Sequence, residues 1–215
     1  MSADPSPDSQ PLRLRVTDLC VERGGRPVID GLGFSLTSGE ALVVTGRNGA
    51  GKSTLLRAIA GLLPIRRGRI EVVGTREDEP AAHLHYLAHA DGLKAPLTAL
   101  ENLAFWGRFL GGGDGRRGLA PAQALERVGL AHLGAAPVAI LSAGQKRRIA
   151  LARLLVAFRP LWLLDEPTSA LDRASRERLA EAMRAHLAEG GMIVAATHEP
   201  LGLAGANELA LGGKP

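Results

Sequence analysis

The chain begins with short alternating and apolar runs, passes through a stretch of helical patterns, and returns to apolar runs. Leu12 to Val21 alternates apolar and polar positions (Leu12, Leu14 and Val16 against Arg13, Arg15 and Thr17), as a half-buried strand does. Gly24-Gly25 marks a turn, and Val28 to Thr37 predicts a second strand with a short break at Asp30-Gly31. After a turn at Ser38-Gly39-Glu40, Ala41 to Thr45 is nearly all apolar, the pattern of a strand buried on both faces. A helix is expected from Lys52 to near Gly61, with Pro64 beyond it as a stop signal, and a strand over Arg69 to Val73.

From about Ala90 to Arg159 helical patterns take over: Leu97 to Phe109, Pro121 to Val128, and Gln145 to Phe158. Gly111 to Gly118 reads as a flexible connector between the first two. Strands resume with Leu161 to Leu164 and close with Met192 to Thr197. Between them, Arg173 to Glu189 is a helix with Leu179, Met183 and Leu187 in one apolar stripe. No fixed-period repeat interrupts this order. The pattern predicts an α/β fold, a parallel core sheet with a helical subdomain inserted into it.

Composition narrows the class. With 215 residues, 46% hydrophobic and 22% charged, the chain suits one well-buried domain. No run approaches the roughly 18 apolar residues of a spanning helix, and the longest candidate, Ile149 to Phe158, is broken by Arg153. Residues 1–11 are rich in Ser, Pro and Asp and lack the basic start and apolar stretch of a signal peptide, so a disordered lead-in is expected. A single cysteine, Cys20, cannot form an internal disulfide, which suits a reducing cytosol. The net charge of +4 comes almost wholly from arginine, because lysine stands only at 52, 94, 146 and 214. That excess fits an arginine-heavy coding bias as well as a nucleic-acid or membrane surface, and it decides nothing.

The chemistry is more specific. Gly46-Arg47-Asn48-Gly49-Ala50-Gly51-Lys52-Ser53, followed by Thr54, fills the P-loop pattern between a buried strand and a helix. Its glycines let backbone N–H groups curl around phosphates, and the helix N-terminus adds a positive field. Lys52 would reach the β- and γ-phosphates and the Ser53 hydroxyl would bind Mg²⁺. Glycine-rich strand-to-helix turns also serve plain packing, but the Gly-Lys-Ser ending argues against that here. Far downstream, Leu161-Trp162-Leu163-Leu164-Asp165-Glu166 is an apolar strand ending in two acids. A carboxylate there is costly unless it meets a cation, which makes Asp165 the natural Mg²⁺ partner. Glu166 is then placed to act as general base on the water attacking the γ-phosphate.

Between these halves stands Leu141-Ser142-Ala143-Gly144-Gln145, followed by Lys146-Arg147-Arg148. It resembles the signature motif of ABC ATPases, with Ala143 in place of a glycine. Ser169-Ala170-Leu171-Asp172 resembles the family's D-loop, and His198, after the last strand, its switch histidine. The resemblance runs from Leu12 to His198. It implies a P-loop NTPase of ABC type: a mainly parallel core sheet, an antiparallel β-subdomain and an inserted helical subdomain. One domain is expected over 12–215, its core at about 12–89 and 160–200 and its helical part at about 90–159. The implied mechanism is a homodimer with ATP between protomers. Each signature turn, through Ser142 and the Gly144 backbone, would close on the γ-phosphate of the other's nucleotide in trans, with His198 helping to hold Glu166 and water in line.

Two positions depart from the family pattern. Where many members stack adenine on an aromatic side chain, this chain has Arg23, which implies weak selectivity for ATP over GTP. Where the Q-loop glutamine is expected, His89 stands in Tyr86-Leu87-Ala88-His89. An imidazole there could accept a proton or bind metal, and its titration near neutral pH could make activity pH-sensitive.

The segment from Leu84 to Trp106, with Leu141 to Leu154, resembles the ATP-binding subunits of the cytochrome c maturation system, a family of haem exporter ATPases. That resemblance implies integral membrane partners at the cytoplasmic face of the bacterial inner membrane and ATP hydrolysis linked to release of a haem-loaded chaperone. The chain itself is expected to bind no haem and no nucleic acid: His83, His85 and His89 lack a paired Cys or a haem-attachment motif. Leu93 to Phe109, carrying Phe105, Trp106 and Phe109, is a candidate docking surface for a membrane partner, though each aromatic could equally be core. An ABC transporter for another solute shares the same motifs. A nucleic-acid ABC ATPase usually adds a long coiled coil or tandem ATPase domains, which this sequence does not show.

Overall fold

The computed structural model describes residues 11–74, 83–111 and 118–212. The expected lead-in, apart from Pro11, and most of the 111–118 connector lie outside them. Among the described residues, eight strands form two sheets. Strands β1 (Arg13–Arg23), β2 (Arg26–Thr37) and β4 (Arg67–Val73) make an antiparallel sheet in the order β2-β1-β4. Strands β3 (Ala41–Thr45), β5 (Leu84–Leu87), β6 (Leu161–Asp165), β7 (Met192–Ala196) and β8 (Asn207–Ala210) make a parallel sheet in the order β5-β6-β7-β3-β8. Helices α1 (Lys52–Ile59), α2 (Ala99–Phe109), α3 (Pro121–Arg127), α4 (Ala143–Ala152) and α5 (Arg173–Ala188) complete the expected arrangement.

The two-residue period of a strand explains why residues 161–164 of β6 and all of β7 are apolar. Leu161 and Leu163, with Met192, Val194 and Ala196, face a core shared with α1 and the antiparallel sheet. Trp162, Leu164, Ile193 and Ala195 face the other way, onto α5 and part of α4. Every residue of both strands is buried, so a polar substitution on either face would be buried without a partner. A third cluster, including Ala99, Leu103, Leu125, Leu130 and Ile149, holds α2, α3 and α4 to one another.

The antiparallel sheet bends at Asp18, whose φ of 46° accompanies a register shift against β2 and β4. Gly68 lies directly against that bend, and a Cβ there would meet the carbonyls of Thr17 and Asp18. Three helices start with strong caps. Thr98 and Glu101 form a capping box on α2, Ser142 and Gln145 form one on α4, and Asp172 caps α5 through the Ser175 N–H. Helix α1 has no side-chain cap.

Three elements differ from the sequence reading. Helix α4 ends at Ala152 rather than Phe158, because Leu154 N–H bonds Leu151 O and Leu155 N–H bonds Ala152 O, tightening the chain into turns that lead to β6. β5 and β8, each four residues long, were too short to show a period of their own. The chain after Glu199 is structural through β8, which pairs with β3, and Leu211 N–H continues the ladder to Thr45 O.

Candidate functional site

The phosphate-loop sequence lies where β3 gives way to α1. Gly46, Gly49 and Gly51 have φ of 136°, 83° and 103°, a region side chains rarely enter. At Gly46 a Cβ would meet the Leu211 carbonyl, and at Gly51 it would lie 2.8 Å from Val28 Cγ1. The loop is thus wedged between the β8 exit and β2. Lys52, buried, donates from Nζ to the Gly46 carbonyl at 2.8 Å and the Arg47 carbonyl at 3.3 Å. Thr54 is buried at the start of α1. The uncapped α1 has no acidic residue in its first turn, so its N–H groups keep their positive field for an anion.

Asp165 ends β6 and is only 3% exposed, and Ser53 Oγ donates to its Oδ1 at 3.0 Å. A hydroxyl and a carboxylate facing each other beside a phosphate loop are a hard oxygen pair that suits Mg²⁺. The next residue, Glu166, takes φ 46°, uncommon for a residue with a side chain. Its N–H bonds Ala196 O at 2.9 Å, and its carboxylate Oε1 lies 3.3 Å from His198 Nδ1. His198 follows β7 and is largely exposed. One end of the parallel sheet therefore gathers residues 46–54, Asp165, Glu166 and His198.

The turn Leu141 to Gln145 sits elsewhere on the surface and is bonded to itself. Gln145 N–H donates to Ser142 Oγ at 3.2 Å, and Ser142 N–H donates to Gln145 Oε1 at 2.8 Å. Leu141 is buried as an anchor, whereas Ser142 and Ala143 are exposed. Gly144 packs against the D-loop-like turn, where a Cβ would lie 3.0 Å from Ala170 O. In that turn Ser169 N–H returns to Glu166 O at 3.2 Å, Ala170 has φ 61°, Leu171 is buried, and Asp172 starts α5.

His89 is exposed in the bend after β5, and Arg23 is exposed at the end of β1 opposite Arg26. The histidines of the 83–89 segment part company: His85 is buried with Nε2 2.8 Å from Ala157 O, and burial pushes its imidazole down to about 3. Of the three aromatics on α2, Phe109 is exposed (70%), whereas Phe105 and Trp106 are half-buried. Lys94 lies 4.0 Å over the Phe105 ring and Arg153 lies 4.5 Å over Trp106.

Sequence reasoning passed over Arg147. It is 3% exposed and spans from α4 to the ends of β5 and β6, bonding Asp165 O, Glu166 O, Ala88 O and Asp91. The signal in the sequence was slight, because Arg147 is the middle one of three consecutive basic residues, Lys146-Arg147-Arg148.

The family model described as ABC transporter matches residues 29–169. The cytochrome c biogenesis ATP-binding export protein CcmA of Chelativorans sp. (strain BNC1) is 54% identical over 203 residues, 94% of this chain and 98% of that protein. The protein of the same name from Rhodopseudomonas palustris (strain BisB5) is 56% identical over 194 residues, 90% of this chain and 94% of that one. Among solved structures, an ATP-binding subunit of an ABC transporter superposes with a TM-score of 0.81 at 28% identity, covering 92% of this chain and 85% of its own.

Proposed function

The chain belongs to the ABC transporter family, among its cytochrome c biogenesis ATP-binding export proteins, and from this premise we propose that it hydrolyses Mg-ATP between two copies of itself to drive haem delivery through integral membrane subunits. Its place of action in this reading is the cytoplasmic face of the bacterial inner membrane, where those partners hold it. No helix among the described residues is long and apolar enough to cross a membrane.

Residues 46–54 hold the phosphates through backbone N–H groups at the start of α1. Lys52 leaves the Gly46 and Arg47 carbonyls for the β- and γ-phosphates. Ser53 and Asp165 would hold a magnesium ion, which would supply positive charge to neutralise the phosphate oxygens. Glu166 takes the proton of the attacking water, and His198, beside its Oε1, keeps the carboxylate aimed. The other protomer's Ser142 and Gly144 cover the exposed γ-phosphate, so ATP joins the protomers and hydrolysis parts them. The D-loop residues 169–172 lie against the same protomer's signature turn and carry the state of Glu166 to that surface. Phe109, with Phe105 and Trp106 behind it, offers an apolar hold for a short cytoplasmic segment of a membrane partner.

The observation that carries the ATPase reading is the convergence of Lys52, Ser53, Asp165, Glu166 and His198 on one sheet end. An identity of 54% over 94% of the chain to a cytochrome c biogenesis protein supports the choice of cytochrome c biogenesis. The test is purification of the tagged protein from gently solubilised native membranes, with co-purifying proteins identified by mass spectrometry. Recovery of cytochrome c maturation membrane subunits is expected. Recovery of a different permease would overturn the haem assignment and leave the ATPase chemistry standing.

A further inference from the structure

We infer that Arg147 is a positioning residue for hydrolysis: it fixes the backbone on which Glu166 stands and ties it to the segment on either side of His89. The inference rests on the reading of Glu166 as general base.

The geometry is that of a buried fork. Arg147 Nη2 donates to Asp165 O at 3.0 Å and to Glu166 O at 2.7 Å. Nη1 donates to Ala88 O at 2.9 Å and to Asp91 Oδ1 at 3.1 Å. The Arg147 side chain is 4% exposed and that of Asp91 26%, so its charge is held among carbonyls and one carboxylate rather than in water. All four N–H donors of the two terminal nitrogens are used, whereas Nε has no partner. A residue kept only to fill space would not need a charge in that place.

What the fork grips is as telling as how it grips. Glu166 sits in the left-handed region at φ 46°, where a side-chain-bearing residue stays only if its surroundings hold it. Its N–H is fixed by Ala196 O on β7, and its C=O by Arg147. With both ends of the residue pinned, the carboxylate points to His198. On the other side of the fork, Ala88 and Asp91 bracket His89. A second arginine of the same stretch, Arg153, binds the same segment from behind, through Tyr86 O at 3.0 Å and Asp91 O at 3.5 Å, while lying over Trp106. Movement of residues 86–91, beside the aromatic face of α2, is thus passed to the Glu166 peptide through Arg147.

Lysine cannot replace this arginine, because one ammonium cannot reach two pairs of acceptors on opposite sides. The experiment measures steady-state ATP hydrolysis of wild type, Arg147→Lys, Glu166→Gln and the double variant, with folding checked by circular dichroism and thermal melting. Arg147→Lys is expected to lower kcat about 10- to 100-fold while KM for ATP changes less than about threefold, the scale of a sub-ångström to ångström misplacement of a base. In the Glu166→Gln background, where no base remains to be positioned, the same substitution should cost less than about threefold more. Full additivity, or a kcat of Arg147→Lys within about twofold of wild type, would overturn the inference. Turnover unaffected by Glu166→Gln alone would instead sink the general-base reading beneath it. If Arg147→Lys fails to fold, Asp91→Asn carries the same cycle: a several-fold loss of kcat that disappears in Glu166→Gln is expected, and an additive loss overturns the inference.

Discussion

Helix α2 and helix α4 both open with a capping box, Thr98 with Glu101 in one and Ser142 with Gln145 in the other. The bonds are alike, but the surroundings are not. At α2 the box residue is an acid, and the turn is pinned to its neighbours: Ala99 N–H bonds Ala136 O, Leu100 N–H bonds Gly134 O, and Asn102 gathers the carbonyls of Lys94, Leu97 and Thr98. Its positive end is already answered by Glu101. At α4 the box residue is neutral, the first turn has no acid, and Ser142 and Ala143 are exposed. A sequence that wanted only a stable helix start would gain from a glutamate at 145. Its absence leaves the positive end of α4 with no acid in its own first turn, where Ser142 and Ala143 are exposed.

Making α4 resemble α2 should have the largest effect. Gln145→Glu preserves the capping bonds and leaves stability within a few tenths of a kcal/mol. It also sets a negative charge against the γ-phosphate of the partner's nucleotide, so turnover should fall about 10²-fold in a standard ATPase assay. A turnover near wild type would break the comparison. Next comes removal of the hydroxyls. Ser142→Ala and Thr98→Ala should each cost about 1 kcal/mol in denaturant unfolding. Only Ser142→Ala should also lower turnover, by about tenfold, through a lost bond to a charged group. Equal turnover in the two variants would mean that both caps are merely structural.

The smallest effect on the site is expected at the far end of α4, where His85 anchors the turn after the helix through Ala157 O. Burial holds the His85 imidazole down to about 3 and that of His186 down to about 4, against 6.5 for the ordinary group. Below pH 6.5 the unfolded chain takes up protons that the folded chain refuses. Stability is therefore full above that pH and falls on acidification, by up to about 1.4 kcal/mol per pH unit per histidine. His85→Gln keeps an N–H for Ala157 O without titrating, and chemical denaturation between about pH 7.5 and 5.5 should show roughly half the wild-type slope. An unchanged slope would show that His85 does not set the acid sensitivity.

Much of the fold and site was legible in the chain because it is written in short range. The nearly all-apolar runs of β3, β6 and β7 fit a sheet covered on both faces, and the glycines around Lys52 have few uses but a backbone cradle. Local pattern could not show pairing over distance. β8 carries no readable signal until it lies beside β3 and its exit presses on Gly46. Arg147 reads as one of three basic residues in a row until the fold brings Ala88, Asp91, Asp165 and Glu166 around it. The expected end of α4 at Phe158 failed for a related reason: apolar residues 154–158 suit a helix by pattern, but the chain must turn there to enter β6.

The proposed mechanism requires the nucleotide to be shared between copies, and light scattering of the Glu166→Gln protein tests that most directly. With saturating Mg-ATP the scattering mass should double, and it should return to that of the monomer when Gln145→Glu is added. Nucleotide bound at the monomer mass, with no concentration dependence, would contradict the shared site and leave the outward face of α4 with no nucleotide to cover.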